Sequence, residues 1–285
     1  MPFPPGLAAL LAPFCAPQAG PGPGPFQAVN QKGILAVADY LGITPAKAMI
    51  LCLEHKIWPL RFARNRGIFT AAEQRRFLES HAAIIGCGGL GGHVATLLAR
   101  AGVGAFTLCD FDVFDESNLN RQVLCSETNL GQSKAATAGK ELARIASHTD
   151  IRIFPVKADP GTLAEILQGA EIVIDCLDSL EARRDVSAAA DQAKVPFVHG
   201  AIAGEEGFVM VALPGKKSME LLYQGVALAD EKGAELLLGV PTVTPAAIAA
   251  LQARFALMVL AGREFGKTQL CHVDISEPFL EMLTL

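Results

Sequence analysis

The sequence predicts an α/β fold, with a mostly parallel sheet and helices on both of its faces. Two observations lead there. From Ala82 onward, short apolar runs alternate with longer amphipathic ones, the pattern of strands buried on both sides by the helices that connect them. The stretch "AAIIGCGGLGGHV" places a G-x-G-x-x-G spacing directly after the first of these runs and before a helix-like segment, where a tight strand-to-helix turn needs glycine. With 285 residues, 51% of them hydrophobic, the chain has material for a full core.

Taken in order, the first 25 residues hold 8 Pro and 4 Gly, and the first charge is Lys32. That composition predicts a flexible tail over 1–31 and lacks the basic start of a secretory signal. "ILAVADYLGITPAKAMILCLEHK" (Ile34 to Lys56) has helical spacing, a stop at Gly42 and a capped restart at Thr44-Pro45, so 32–60 reads as a small helical region of two short helices. A helix-turn-helix is one possibility, but Ala46 to Lys56 offers mostly apolar side chains where base contacts need polar ones. Strands are expected at Ala82–Ile85, Ala105–Cys109, Ile151–Val156, Ile172–Cys176 and Val195–His199, with helices starting near Leu90, Ser133, Thr162 and Leu180. The sheet is therefore Rossmann-like. A further strand at Glu206 to Gly215, an irregular stretch to about Thr242, a helix near Ala246 to Gly262 and two final strand-like pieces suggest antiparallel strands at the C-terminal end.

Charge and cysteine usage remove several function classes. Lys plus Arg is 24 against 29 for Asp plus Glu, a net charge of -5 that gives no general attraction to nucleic acid or to an anionic membrane. The Ala246 to Gly262 run is interrupted by Gln252 and Arg254 and reads as a buried helix. Seven cysteines without a C-x-x-C pair fit reduced thiols in a cytoplasmic protein.

The chemistry gathers in four stretches. Gly86, Gly88 and Gly91 let a backbone approach phosphate oxygens, and the helix start adds free N–H groups and a partial positive charge. Asp110, ending the next strand, suits ribose hydroxyls. "DESNLNRQVL" (Asp115 to Leu124) then concentrates Asn118, Arg121 and Gln122 where a nicotinamide dehydrogenase has no use for them. Arg121 offers a planar fork of donors and Lys134 a mobile charge for a phosphate under attack. Asp178, at the carboxyl end of a strand, is suited to holding Mg²⁺. Each also has an ordinary explanation: a surface ion pair for Arg121, a solvated helix start for Lys134, an N-cap for Asp178.

Together, "GCGGLGG", "LCDFDVFDESNLNRQ", "GQSKA" and "VIDCLDS" resemble the ThiF/MoeB/HesA family, relatives of the ubiquitin-activating enzymes, over 61–285. The resemblance implies an ATP-binding adenylyltransferase domain acting on the C-terminal Gly-Gly carboxylate of a ubiquitin-like sulfur carrier of the ThiS or MoaD kind, giving an acyl adenylate and pyrophosphate. It also implies roles by matching position. Gly86, Gly88, Gly89 and Gly91 form the nucleotide turn, Asp110 binds ribose, Asn118, Arg121, Gln122 and Lys134 meet the nucleotide, and Asp178 binds Mg²⁺. "RFARN" is similar to a family segment whose arginine crosses a two-fold axis, which makes Arg64 a catalytic candidate and the enzyme a homodimer.

Two departures matter. The family's paired C-x-x-C zinc ligands are missing, so no zinc is expected, and Lys216 to Thr242, the expected crossover, has no cysteine for a covalent intermediate. The small residues of Gly200 to Gly207 suggest a narrow passage for a Gly-Gly tail. A non-catalytic ATP-binding docking protein and an NAD-dependent oxidoreductase stay open as alternatives.

Overall fold

The computed structural model describes residues 5–224, 235–264, 269–277 and 279–284. It divides into two compact units, one comprising the chain up to Ser80 together with Ala101–Gly104, the other His81–Arg100 and the chain from Ala105 onward.

The first unit corrects the tail expected over 1–31. It begins with helix α1 (Leu7–Leu11) and strands β1 (Cys15–Gln18) and β2 (Phe26–Val29), followed by α2 (Gln31–Leu41), α3 (Pro45–Glu54), β3 (Ile57–Pro59), a 3-10 turn at Leu60–Asn65 and α4 (Ala71–Glu79). β1 pairs antiparallel with β2, and β2 parallel with β3. Leu7, Leu11 and Val29 are buried with Met49, Cys52, Trp58 and Phe62, which a tail's composition does not suggest. The Pro/Gly loop between β1 and β2 is ordered by Arg66. Its guanidinium donates to the carbonyls of Pro21, Pro23 and Gly24 and lies 4.5 Å from the Phe26 ring centroid. The two expected helices are present, the first ended by Gly42 at φ 63° and the second capped by Thr44 with Pro45 in its first turn. Arg61–Ser80 packs with this unit.

The second unit holds β4 (His81–Ile85), α5 (Gly91–Ala101), β5 (Ala105–Cys109), α6 (Lys134–Ile145), β6 (Asp150–Phe154), α7 (Leu163–Ile166), β7 (Ile172–Asp175) and α8 (Leu180–Gln192). After these come β8 (Phe197–Ala203), β9 (Glu206–Ala212), α9 (Ser218–Leu222), α10 (Glu235–Leu238), α11 (Val243–Leu260), β10 (Gln269–Asp274) and β11 (Phe279–Thr284). Their order in one sheet is β11-β10-β9-β8-β7-β4-β5-β6. The five strands from β8 to β6 are mutually parallel and the last three join antiparallel, so the α/β, Rossmann-like sheet and its antiparallel end are as expected.

Strand register sets which residues meet. Ile85, Cys109, Phe154, Asp175 and His199 form one row. Ala83, Val173 and Phe197 share that face with Leu163, Ile166, Val186 and Ala190 of α7 and α8. On the other face, the Gln252 amide of α11 lies 2.5 to 2.7 Å from where a Cβ on Gly200 would stand, and Ile248 comes as close to Gly207. These two glycines are small because α11 packs on them. α11 has the length and apolarity to cross a membrane, yet Ile248, Ala249, Gln252, Ala253 and Ala256 are buried in the unit. Of the expected crossover, residues 225–234 lie outside the described residues.

Candidate functional site

Sequential strands add outward from β4 through β5 to β6, and the chain then returns to β7 on the other side of β4. Such a reversal leaves a crevice at the carboxyl ends of the strands. A cleft of about 740 Å³ lies there.

The glycine loop forms one wall. Gly86 has φ 92°, and a Cβ on it would come within 2.6 Å of the Cys176 carbonyl oxygen. Gly91 opens α5, and a Cβ there would overlap the carbonyl oxygen of Gly86. Gly91 therefore shapes the loop without lining the cleft, whereas Gly86, Gly88 and Gly89 line it. Asp110 ties the loop down: its carboxylate accepts from the Cys87 N–H at 2.7 Å and the Asp112 N–H at 2.8 Å. Burial pushes the Asp110 carboxyl above its usual range against the pull of these two donors. Cys87 is buried in the loop and burial raises its thiol well above the ordinary value, so it is inert there.

The polar run of Asp115 to Leu124 forms the second wall, and its parts separate by job. Asn118 does not line the cleft. Its Oδ1 accepts from the Asp115 N–H, closing a capping box of the 3-10 turn Glu116–Asn118, and its carbonyl accepts the N–H groups of Arg121 and Gln122. In the folded chain Asn118 supports the two residues after it. Arg121 lines the cleft and donates through Nη1 to the Ser117 carbonyl and to Asn120 Oδ1; its Nε and Nη2 have no partner among the described residues. Gln122 is buried beside Gly88, and its Oε1 has no hydrogen-bond partner among the described residues. Lys134, the first residue of α6, is buried against solvent and pairs with Asp112 at 3.0 Å.

On the third side, β7 ends at Asp175, and Asp178 stands exposed in the cleft without a hydrogen bond or ion pair among the described residues. It is not the helix cap. Ser179 takes that job, accepting from the Ala182 N–H, which explains a serine at this position and leaves the Asp178 carboxylate free. Asn120 donates to the Val240 carbonyl at 3.2 Å, bringing the chain after α10 to the rim. Arg64 lies exposed in the 3-10 turn of the other unit. A phosphate-sized approach at glycine amides, unpaired guanidinium donors and a free carboxylate fits a nucleotide polyphosphate with a hard cation such as Mg²⁺.

Residues 62–284 match the ThiF family. The chain is a member of the ThiF family. Among curated ThiF relatives, it is 37% identical over 201 residues to the molybdopterin-synthase adenylyltransferase of Escherichia coli, covering 68% of this chain and 77% of that one. It is 37% identical to the Salmonella typhimurium protein of the same name, covering 53% of this chain and 62% of that one. It is 32% identical to the sulfur carrier protein ThiS adenylyltransferase of Bacillus subtilis, covering 67% and 57%. The chain thus spans less than two thirds of the length of two of these three. A crystal structure of E. coli MccB with ATP superposes with a TM-score of 0.63 at 21% identity, over 75% of this chain and 66% of that one. E. coli tRNA N6-threonylcarbamoyladenosine dehydratase gives 0.56 at 23%, over 67% and 89%. At these identities the two structures establish the fold.

Sequence reasoning missed Asp112, Lys157 and Arg183, which also line the cleft, and the polar residues behind it. Asp175 and His199 are fully buried side by side, 2.5 Å apart, and His199 Nε2 lies 2.8 Å from the Tyr223 hydroxyl. The available signal was an Asp and a His inside the otherwise apolar strands "IVID" and "FVHGAIA". Burial holds the His199 pKa below the ordinary value, against the pull of Asp175. The unfolded chain therefore takes up a proton on His199 that the folded chain refuses. That stability is complete above about pH 6.5 and is lost as pH falls toward the folded value, at up to about 1.4 kcal/mol per pH unit. Melting scans from pH 7.5 to 5.5 should show a falling Tm, with a shallower slope in His199→Gln.

Proposed function

We propose that this chain adenylylates the C-terminal glycine carboxylate of a ubiquitin-like sulfur-carrier protein with ATP, releasing pyrophosphate. The observation that carries this is the pair of unengaged groups in one cleft: the Nε and Nη2 of Arg121 and the carboxylate of Asp178, facing a glycine loop whose amides suit phosphate. The names of the curated relatives, molybdopterin-synthase and ThiS adenylyltransferases, support the same reaction.

In this mechanism the carrier's carboxylate oxygen attacks the α-phosphorus of ATP. The new P–O bond forms as the bridging bond to the β-phosphate breaks, and pyrophosphate leaves with that electron pair. No protein nucleophile is needed. Gly88 and Gly89 hold the phosphates through backbone amides, Gly86 shapes the turn with its own N–H donated to the Cys109 carbonyl, and Asp110 accepts from the ribose hydroxyls with lone pairs left over from its two loop bonds. Arg121 and Lys134 neutralise charge that grows on the phosphoryl oxygens, where a fixed cation is worth roughly 3 kcal/mol. Asp178 holds Mg²⁺, which supplies further charge neutralisation on the polyphosphate. Gln122, with an unsatisfied amide oxygen beside Gly88, is suited to a hydroxyl or bound water of the nucleotide. Arg64 completes the set from a second copy in a homodimer, as an arginine finger does. The seven free thiols suit a cytoplasmic setting, where sulfur carriers of thiamin or molybdenum cofactor assembly are its substrates.

The test is isotope exchange between pyrophosphate and ATP, run with ThiS- or MoaD-type carriers and with the same carriers lacking the last glycine. Exchange is expected with the intact carriers alone. ATP binding without exchange would favour a docking protein, and binding of NAD in place of ATP would favour an oxidoreductase.

A further inference from the structure

Behind the cleft, one closed circuit of hydrogen bonds starts and ends on the backbone just before Asp178. The Leu177 N–H donates to Asp175 Oδ1 at 3.0 Å. The other oxygen of Asp175 meets His199 Nδ1, and His199 Nε2 meets the Tyr223 hydroxyl. Arg183 Nη1 reaches the same hydroxyl at 3.3 Å, while its Nε and Nη2 donate to the Leu177 carbonyl at 3.1 and 2.6 Å. Because Asp175 can only accept, the proton sits on Nδ1, and Nε2 accepts from Tyr223. Both the N–H and the C=O of Leu177 are thereby gripped.

Packing alone gives no reason for this circuit. Asp175 and His199 are wholly buried, and buried polar groups cost desolvation that apolar residues of the same volume avoid. Next to the circuit in sequence stands Asp178, which has no partner of its own among the described residues. Its backbone follows Leu177, and Ser179 after it is already committed to the α8 cap. The hydroxyl that closes the circuit belongs to Tyr223, the C-cap of α9.

We propose that Arg183, His199 and Tyr223 are positioning residues for Asp178: they hold the Leu177–Asp178 peptide so that the carboxylate faces the cleft and can take a divalent cation on a bound nucleotide, and they make that geometry depend on the seating of α9. This rests on the metal role given to Asp178 under the proposed function.

Tyr223→Phe opens the circuit by one hydroxyl, and Val186→Ala, a fully buried α8 residue outside it, is the control. Amide hydrogen exchange of the nucleotide-free protein should be faster at residues 177–179 in Tyr223→Phe than in Val186→Ala. Mn²⁺ titrated with a non-hydrolysable ATP analogue should bind roughly 10- to 100-fold more weakly to Tyr223→Phe and unchanged to Val186→Ala. Equal amide exchange in the two variants, or faster exchange with unaltered Mn²⁺ affinity, would overturn the proposal. A wild-type chain that binds nucleotide but no Mn²⁺ would overturn the metal role of Asp178, an outcome the amide-exchange arm does not share. Should Tyr223→Phe not fold, Arg183→Lys, which keeps the charge and loses the fork on the Leu177 carbonyl, is read in the same two ways.

Discussion

Replacing Arg121 with alanine is expected to reduce carrier-dependent pyrophosphate exchange by roughly 10²- to 10³-fold, with a melting temperature close to that of the unaltered chain. The two halves of that expectation have separate grounds. Arg121 is only half-buried, and its structural bonds are one to the Ser117 carbonyl and one to its neighbour Asn120, so truncation leaves no buried charge behind and costs stability no more than about 0.5 kcal/mol. Its Nε and Nη2 have no partner among the described residues and are available to a phosphate. Asp178→Ala should lose activity to a similar degree for the same reason, an exposed carboxylate without a partner among the described residues. Exchange assays and thermal melts on both variants check this, and near-normal exchange in either would remove that residue from the reaction.

The second large effect concerns the backbone. Gly91→Ala should destabilise the chain by about 1–3 kcal/mol through overpacking and weaken ATP binding by more than about tenfold through displacement of the loop amides, because the added methyl would overlap the Gly86 carbonyl oxygen. Gly89→Ala, two residues earlier, meets nothing nearer than Pro245 Cβ at 3.5 Å, so its melting temperature should stay unchanged. Calorimetric titration with ATP and melting scans of the pair separate the two positions. A Gly91→Ala chain that binds ATP normally would show that the loop has room to relax.

Much of this site was legible because its parts are local in sequence. A strand, a glycine turn and a helix start follow one another from Ala82, and the expected strand at Ala105–Cys109 is the observed one. Helix starts near Ser133 and Leu180 agree, a serine capping each, with Ser179 in the place of the Asp178 cap weighed from the sequence. What was not legible depends on contacts distant in the chain. The strand expected to end at His199 runs on to Ala203 because it pairs with β9 through a turn at Gly204. The Pro/Gly-rich start looked like a tail because nothing in its composition announces Arg66, some forty residues on, holding three of its carbonyls. Asp175 and His199 become partners only when β7 and β8 lie in register, and Asn118, inside a phosphate-like cluster, turns out to be occupied by its own turn.

The most direct test of the central claim is mass spectrometry of a carrier protein after incubation with this chain, ATP and Mg²⁺. The account predicts AMP joined to the carrier's C-terminal glycine, dependent on Arg121 and Asp178, with pyrophosphate in solution. Conversion of ATP to ADP and phosphate, or an unmodified carrier in the presence of bound ATP, would contradict it.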